Sequence, residues 1–170
     1  MSDDELRAAA RRFFDEVWNK GNVGETEAFL APGFVSHNSL GVRIVGPREY
    51  AGQVSDFRAA FPDLHTTLED VLVDGERVVV RGTDRATHRG DYMGFPASGR
   101  EVTTTWIEIF RMENGKAAEG WLESDWSTLR HQPVAEKGSG PGPGSRGFGP
   151  RLPRGPAAPW ALRPARVAGL

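Results

Sequence analysis

One carboxylate, two imidazoles and a set of aromatic side chains have the types and spacing to move a proton. Asp125 follows Trp121 and Glu123 at intervals of two, so on an extended strand the three share one face. A carboxylate beside a tryptophan in a dry pocket has its pKa pushed upward by desolvation, toward the range where it takes and returns a proton near neutrality. The same aspartate could instead cap a helical turn over residues Trp126 to His131 by accepting from its free N–H groups. His88 closes a β-branched run. A neutral imidazole there could donate to a carbonyl as it becomes an enolate, or it could end the strand in a hydrogen bond to the following loop. His37 and Asn38 leave a short helix, where Asn38 could close a turn with His37 on the surface. His65 and His131 have no supporting context and read as solvated.

Other chemistries are excluded. The chain has no cysteine, so disulfides, thiolate metal sites and cysteine nucleophiles are ruled out. His37, His88 and Asp125 would make a two-histidine, one-carboxylate set, but no close ligand spacing supports a metal, and none is expected. Gly142-Pro-Gly144-Ser-Arg-Gly147 matches the dinucleotide fingerprint by letters, with no strand before it and no helix after it. No phosphate loop and no Gly-x-Ser-x-Gly elbow occurs, so no cofactor is expected.

The elements that must position these residues follow from periodicity. Ser2 and Glu5 form a capping box ahead of Leu6, Ala10, Phe13, Phe14, Val17 and Trp18 at helical spacing, closed by Asn19-Lys20-Gly21-Asn22. A shorter helix is expected over Glu25 to Leu30, stopped by Pro32-Gly33, with Phe34 to Asn38 extended behind it. A third helix begins at Pro47, puts Tyr50, Val54, Phe57 and Phe61 on one face, and ends at Pro62. The period then changes from 3.6 to 2. Thr66 to Val73 and Arg77 to Thr87 flank Asp74-Gly75 as one hairpin, and Glu101 to Arg111 and Lys116 to Asp125 flank Asn114-Gly115 as a second. A two-residue second turn puts Trp106, Glu108 and Phe110 opposite Glu119 and Trp121, provided no bulge intervenes; a three-residue turn turns Ile107 and Ile109 inward. Helices followed by a meander of antiparallel strands make an α+β cone, three helices covering one face of a curved antiparallel sheet.

Of the 170 residues, the last 38 hold 8 of the 21 glycines and 8 of the 12 prolines. They carry a net +5, against −7 for residues 1–132. The expected organisation is therefore an acidic domain over 1–132 and a disordered Pro/Gly/Arg-rich tail over 133–170. The acidic domain argues against a nucleic-acid partner. No run of eighteen apolar residues exists, and the acidic start lacks the pattern of a secretory signal, so no membrane segment and a cytoplasmic location are expected.

From Leu6 to Gln132 the chain resembles the SnoaL-like polyketide cyclases, within the group that shares the fold of nuclear transport factor 2. The resemblance rests on Phe61-Pro62-Asp63-Leu64, Thr87-His88-Arg89-Gly90, Gly94-Phe95-Pro96-Ala97-Ser98-Gly99-Arg100, Asn114-Gly115-Lys116, and then Glu119, Trp121 and Asp125. It departs at Ala97-Ser98, where members often carry Pro-Thr, and at Ala117, where a bulky aliphatic is usual. It implies a cofactor-independent cyclase for a polyketide-like small molecule, closing a ring by intramolecular aldol chemistry, as in antibiotic biosynthesis. Asp125 would be the proton acceptor and His88 the enolate donor. His37, Asn38, Trp106, Glu119 and Trp121 would bind substrate, and the open sheet face would make a homo-oligomer. The same fold also serves hydroxylation, isomerisation, epoxide opening or ligand binding without chemistry. A tail-driven adaptor for RNA or an acidic protein is a further alternative.

Overall fold

Apolar spacing and capping chemistry account for the helices. The computed structural model describes residues 1–39 and 41–125; the turn expected over Trp126 to His131 and the tail from Pro133 lie outside the described residues. Helix α1 (Asp3–Phe13) begins at the capping box, with the Ser2 N–H donating to Glu5 Oε2 at 2.7 Å and the Glu5 N–H to Ser2 Oγ at 3.3 Å. It runs on into a π-helical stretch, Phe14–Asn19, which the 3.6-residue period does not reveal. Wide turns of this kind recur at functional sites, and this one carries Phe14 and Trp18.

The second helix is shorter than expected. A 3-10 turn over Val23–Glu25 leads into α2 (Thr26–Phe29), and Leu30 already begins β1 (Leu30–Asn38), with Pro32 inside the strand rather than ending a helix. Strand β2 (Arg43–Val45) has only three residues and left no readable alternation. Helix α3 (Gly46–Ala60) buries Tyr50, Val54 and Phe57.

Strands β3 (His65–Asp74), β4 (Arg77–Thr87), β5 (Glu101–Glu113) and β6 (Lys116–Ser124) form the meander. The six strands lie in the order β2-β1-β6-β5-β4-β3, an unclosed curved sheet with β2 and β3 as its edges. Four pairings are antiparallel; β1 pairs with β6 in parallel, a departure from the all-antiparallel sheet expected. That pairing joins segments some eighty residues apart, and local alternation carries no information about it.

The second hairpin turns through Asn114 and Gly115, at φ +50° and +76°, so its turn has two residues. A bulge follows. Met112 pairs with Ala117 but Arg111 with Glu119, leaving Ala118 unpaired, and beyond it β6 presents the opposite set of side chains. Phe110 meets Gly120, Glu108 meets Leu122 and Trp106 meets Ser124 on the concave face. Glu119, Trp121 and Glu123 pair with Arg111, Ile109 and Ile107 on the outer face.

Candidate active site

A cavity opens between the helices and the concave face of β3–β6, with about 450 Å³ of non-atom space when the open solvent at its mouth is included. Phe14, Trp18 and Phe57 come from the helical layer; Thr66, Asp84, Thr104, Trp106, Glu108, Leu122 and Ser124 come from the sheet. Phe14 stacks on Trp106 at 5.0 Å between ring centroids. No lysine, arginine or histidine is among the lining residues.

Each polar side chain is placed by strand parity. On β4 the inward positions run Val78, Val80, Gly82, Asp84 and Ala86; on β5 they run Val102, Thr104, Trp106, Glu108 and Phe110. Gly82 is required here. A Cβ at that position would lie 2.3 Å from Trp106 Cζ2, because the indole rests on the bare backbone of β4. Gly120 plays a similar part for the opposite wall, where a Cβ would come within 3.1 Å of Phe34 and 3.4 Å of Glu108 Oε1.

The two carboxyl groups have different surroundings. Glu108 is buried among Phe34, Gly120 and Leu122, and its Oε1 has no hydrogen-bond partner among the described residues. Desolvation with nothing to offset it pushes its pKa up to about 8. Near neutrality its protonated, neutral form therefore predominates. Asp84 is also raised by burial, but the indole N–H of Trp106 and the hydroxyl of Thr66 oppose that shift. The Thr66 hydroxyl donates to Asp84 Oδ1 at 2.8 Å, whereas the Trp106 N–H faces the carboxylate without a hydrogen bond of normal geometry. Asn19, at the end of the π-helical stretch, brackets the Thr66 backbone through two hydrogen bonds of 2.7 and 3.0 Å and so fixes the strand that carries this donor. Tyr50 is buried behind the pair, accepts from Trp18 Nε1 at 3.1 Å, and has its pKa driven well above 10 by burial and then by Glu108.

A family model described as SnoaL-like polyketide cyclase matches residues 8–133. The chain belongs to the SnoaL-like polyketide cyclase family. Solved structures of this family and fold agree with the architecture. TsrD from Streptomyces laurentii is 26% identical over 76% of this chain and 95% of its own, with a TM-score of 0.70. AclR from Streptomyces galilaeus, described as a hydroxylase, is 25% identical over 75% and 94%, with a TM-score of 0.66. A protein from Jannaschia sp. CCS1 described as a SnoaL-like polyketide cyclase is 24% identical over 75% and 90%, with a TM-score of 0.70, a likeness of fold. No curated protein matches the chain.

In this SnoaL-like chain the residues singled out from sequence are spread over four places. Trp106 lines the cavity. Asp125 is exposed just past β6, its N–H donating to the Thr105 carbonyl at 3.0 Å, and it borders an outer depression with Arg81, Ile107 and Glu123. The bulge at Ala118 is the physical reason, because it puts the face shared by Trp121, Glu123 and Asp125 outside. Glu119 and Trp121 share that outer face with His37, which stacks on Trp121 at 5.8 Å and bonds Glu119 at 3.0 Å through Nε2. Asn38 closes the β1–β2 turn, its side chain accepting from the Val42 N–H at 3.0 Å.

His88 is buried beyond the end of β4, stacked on Phe61 at 5.0 Å, with Nδ1 3.3 Å from Ser98 Oγ. It is not among the residues lining the cavity. The groups that sequence reasoning left unassigned are Asp84 and Glu108. Glu108 carried a usable signal, an acid in phase with Trp106 and Phe110. Asp84 carried almost none, because Thr83-Asp84-Arg85 reads as an exposed polar stretch. Among the described residues no cluster of three or more metal-ligating side chains occurs, and no helix is long and apolar enough to cross a membrane.

Proposed function

We propose that the chain is a cyclase that closes a ring in a neutral, polyketide-like substrate by intramolecular aldol addition, with Asp84 as general base and Glu108 as the acid that holds the enolate. One observation carries this reading. Two carboxyl groups share an aromatic, cation-free cavity; burial raises both, and only Asp84 has donors, Trp106 and Thr66, that oppose the rise. A difference of surroundings of this kind is what assigns base and acid in a carboxyl pair.

Asp84 would remove a proton from a carbon α to a carbonyl. The oxygen that gains charge takes a hydrogen bond from the neutral Glu108 carboxyl, which is stronger in a water-poor site than in solution. The carbanionic carbon attacks a second carbonyl of the same molecule, a carbon–carbon bond forms, and the alkoxide takes back the proton held by Asp84. Atoms balance, and no redox partner enters. The aromatic walls would fold the chain so that its two reacting carbons meet, an effect that can supply about 7–11 kcal/mol of barrier reduction. The support for Asp84 over Asp125 is its position on the cavity wall.

An aryl-substituted 1,5-diketone tests the reading. Ring closure should fall roughly 10²–10⁴-fold in Asp84→Asn, the usual span for loss of a general base, and should also fall in Glu108→Gln. Unchanged closure in both variants would overturn it.

A further inference from the structure

Gly82 and Trp106 are a cross-strand pair with an unusual division of labour. The indole is 6% exposed, lies on the Gly82 backbone on one side and stacks against Phe14 on the other. Held flat in this way, its N–H is buried with no hydrogen-bond partner of normal geometry among the described residues. A buried donor left unmade costs about 1–3 kcal/mol, so its position calls for a use. Asp84 sits two residues beyond Gly82 on the same face of β4, in the same cavity wall. Glu108, two residues beyond Trp106 on β5, has no donor at all on Oε1.

We propose that Trp106, lodged on Gly82, is the positioning residue that makes Asp84 rather than Glu108 the proton acceptor of this cavity, by directing its indole N–H at the Asp84 carboxylate. This rests on the reading of the cavity as an enolising site. The remaining groups that face Asp84 cannot create the asymmetry alone. Thr66 on β3 supplies one neutral donor; Tyr50 on α3 and Glu108 on β5 are uncharged near pH 7 or become anionic, which would oppose ionisation of Asp84. Arg58 on α3 donates to the Trp18 carbonyl and is not part of the cavity lining. Thr104, directly opposite Asp84 on β5, is neutral. The N–H of Trp106 is therefore the second donor available to the ionised form. Burial works against that form, and Trp106 and Thr66 are what offset it.

The experiment is a pH titration of the full-length protein labelled with ¹³C at the aspartate carboxyl carbon, the Asp84 signal being identified by its loss in Asp84→Asn. Trp106→Phe keeps a ring on Phe14 and removes the N–H. Asp84 should then titrate at higher pH than in the wild type, and Thr66→Val should move it in the same direction. With a cyclising diketone, the rising limb of the pH–rate profile in Trp106→Phe should move up by the same interval, while the falling limb, set by Glu108 near pH 8, stays in place. A merely structural loss would lower the rate at every pH. If Trp106→Phe does not fold, Gly82→Ala displaces the indole without deleting it and should also raise the Asp84 titration. An Asp84 titration that is unmoved or lowered in the folded variant overturns the inference. If Asp84 shifts as stated while Asp84→Asn still cyclises the diketone, the coupling stands and the catalytic reading of the cavity fails. If Asp84→Asn is inactive and Trp106→Phe leaves the titration unmoved, the coupling alone fails.

Discussion

Replacing Glu108 by glutamine should change how stability depends on pH, and the change can be worked out from burial alone. The carboxyl ordinarily titrates near 4.5 and is pushed up to about 8 in the folded chain. Between those values the folded state keeps a proton that the unfolded state releases, so the favourable contribution is complete below about pH 4.5 and is lost as pH rises through 8. At about 1.4 kcal/mol per unit, the gap of roughly 3.5 units corresponds to a total of order 5 kcal/mol, with about 3 kcal/mol of it falling between pH 5 and pH 8.

Glutamine is neutral throughout and removes this dependence. Asp84 and Tyr50, which face Glu108, are the same in both proteins, so their titrations largely cancel in the comparison. Urea unfolding at pH 5, 6, 7 and 8 should therefore give a wild-type stability that falls toward pH 8 relative to Glu108→Gln. Two parallel curves would refute the claim that Glu108 is buried without a compensating partner.

Phe14→Ala should cost about 3–5 kcal/mol in urea unfolding, because the ring packs on Phe13, Trp106 and Phe110; a cost below about 1 kcal/mol would contradict that packing. His37→Ala should change stability by less than about 1 kcal/mol, since its bond to Glu119 lies on the outer face with the two side chains 40% and 29% exposed; a larger loss would show that this network is more than a solvated ion pair. Deleting Ala118 removes the unpaired residue and leaves Ala117 opposite Met112 and Glu119 opposite Arg111, so the variant should keep Glu119 and Trp121 outside and still unfold cooperatively; loss of cooperative unfolding would contradict the register. Ser2→Ala should cost about 1 kcal/mol through loss of the capping box, measured by the same method.

The helices and both hairpins were legible because each has a local signature. Ser2 with Glu5 marks the start of α1, Pro47 the start of α3, and Asn114-Gly115 a two-residue turn. The missed features are the ones without a local signature. The parallel β1–β6 pairing depends on distant segments, and β2 is too short to show a period. The π-helical stretch preserves the apolar spacing of an ordinary helix. Most consequential is Ala118, a single unpaired residue whose presence nothing in Lys116 to Asp125 announces. It reverses the faces of β6, taking Trp121 and Asp125 out of the cone while leaving Trp106 and Glu108 within it. A strand read by period 2 gives two sets of side chains correctly, yet which set faces inward depends on one bulge. Asp84 escaped notice for a related reason: burial of a charged residue in a polar stretch is fixed by its partners Thr66 and Trp106, which come from other strands.

The central claim is that enolisation takes place on the concave face, at Asp84, and not at the outer-face carboxylate Asp125. Deuterium exchange from D₂O into the α-carbon of an apolar aryl ketone, followed by NMR, tests it without requiring the natural substrate. The account predicts that wild-type protein accelerates exchange, that Asp125→Asn keeps the acceleration, and that Asp84→Asn abolishes it. Exchange lost in Asp125→Asn and retained in Asp84→Asn would contradict it.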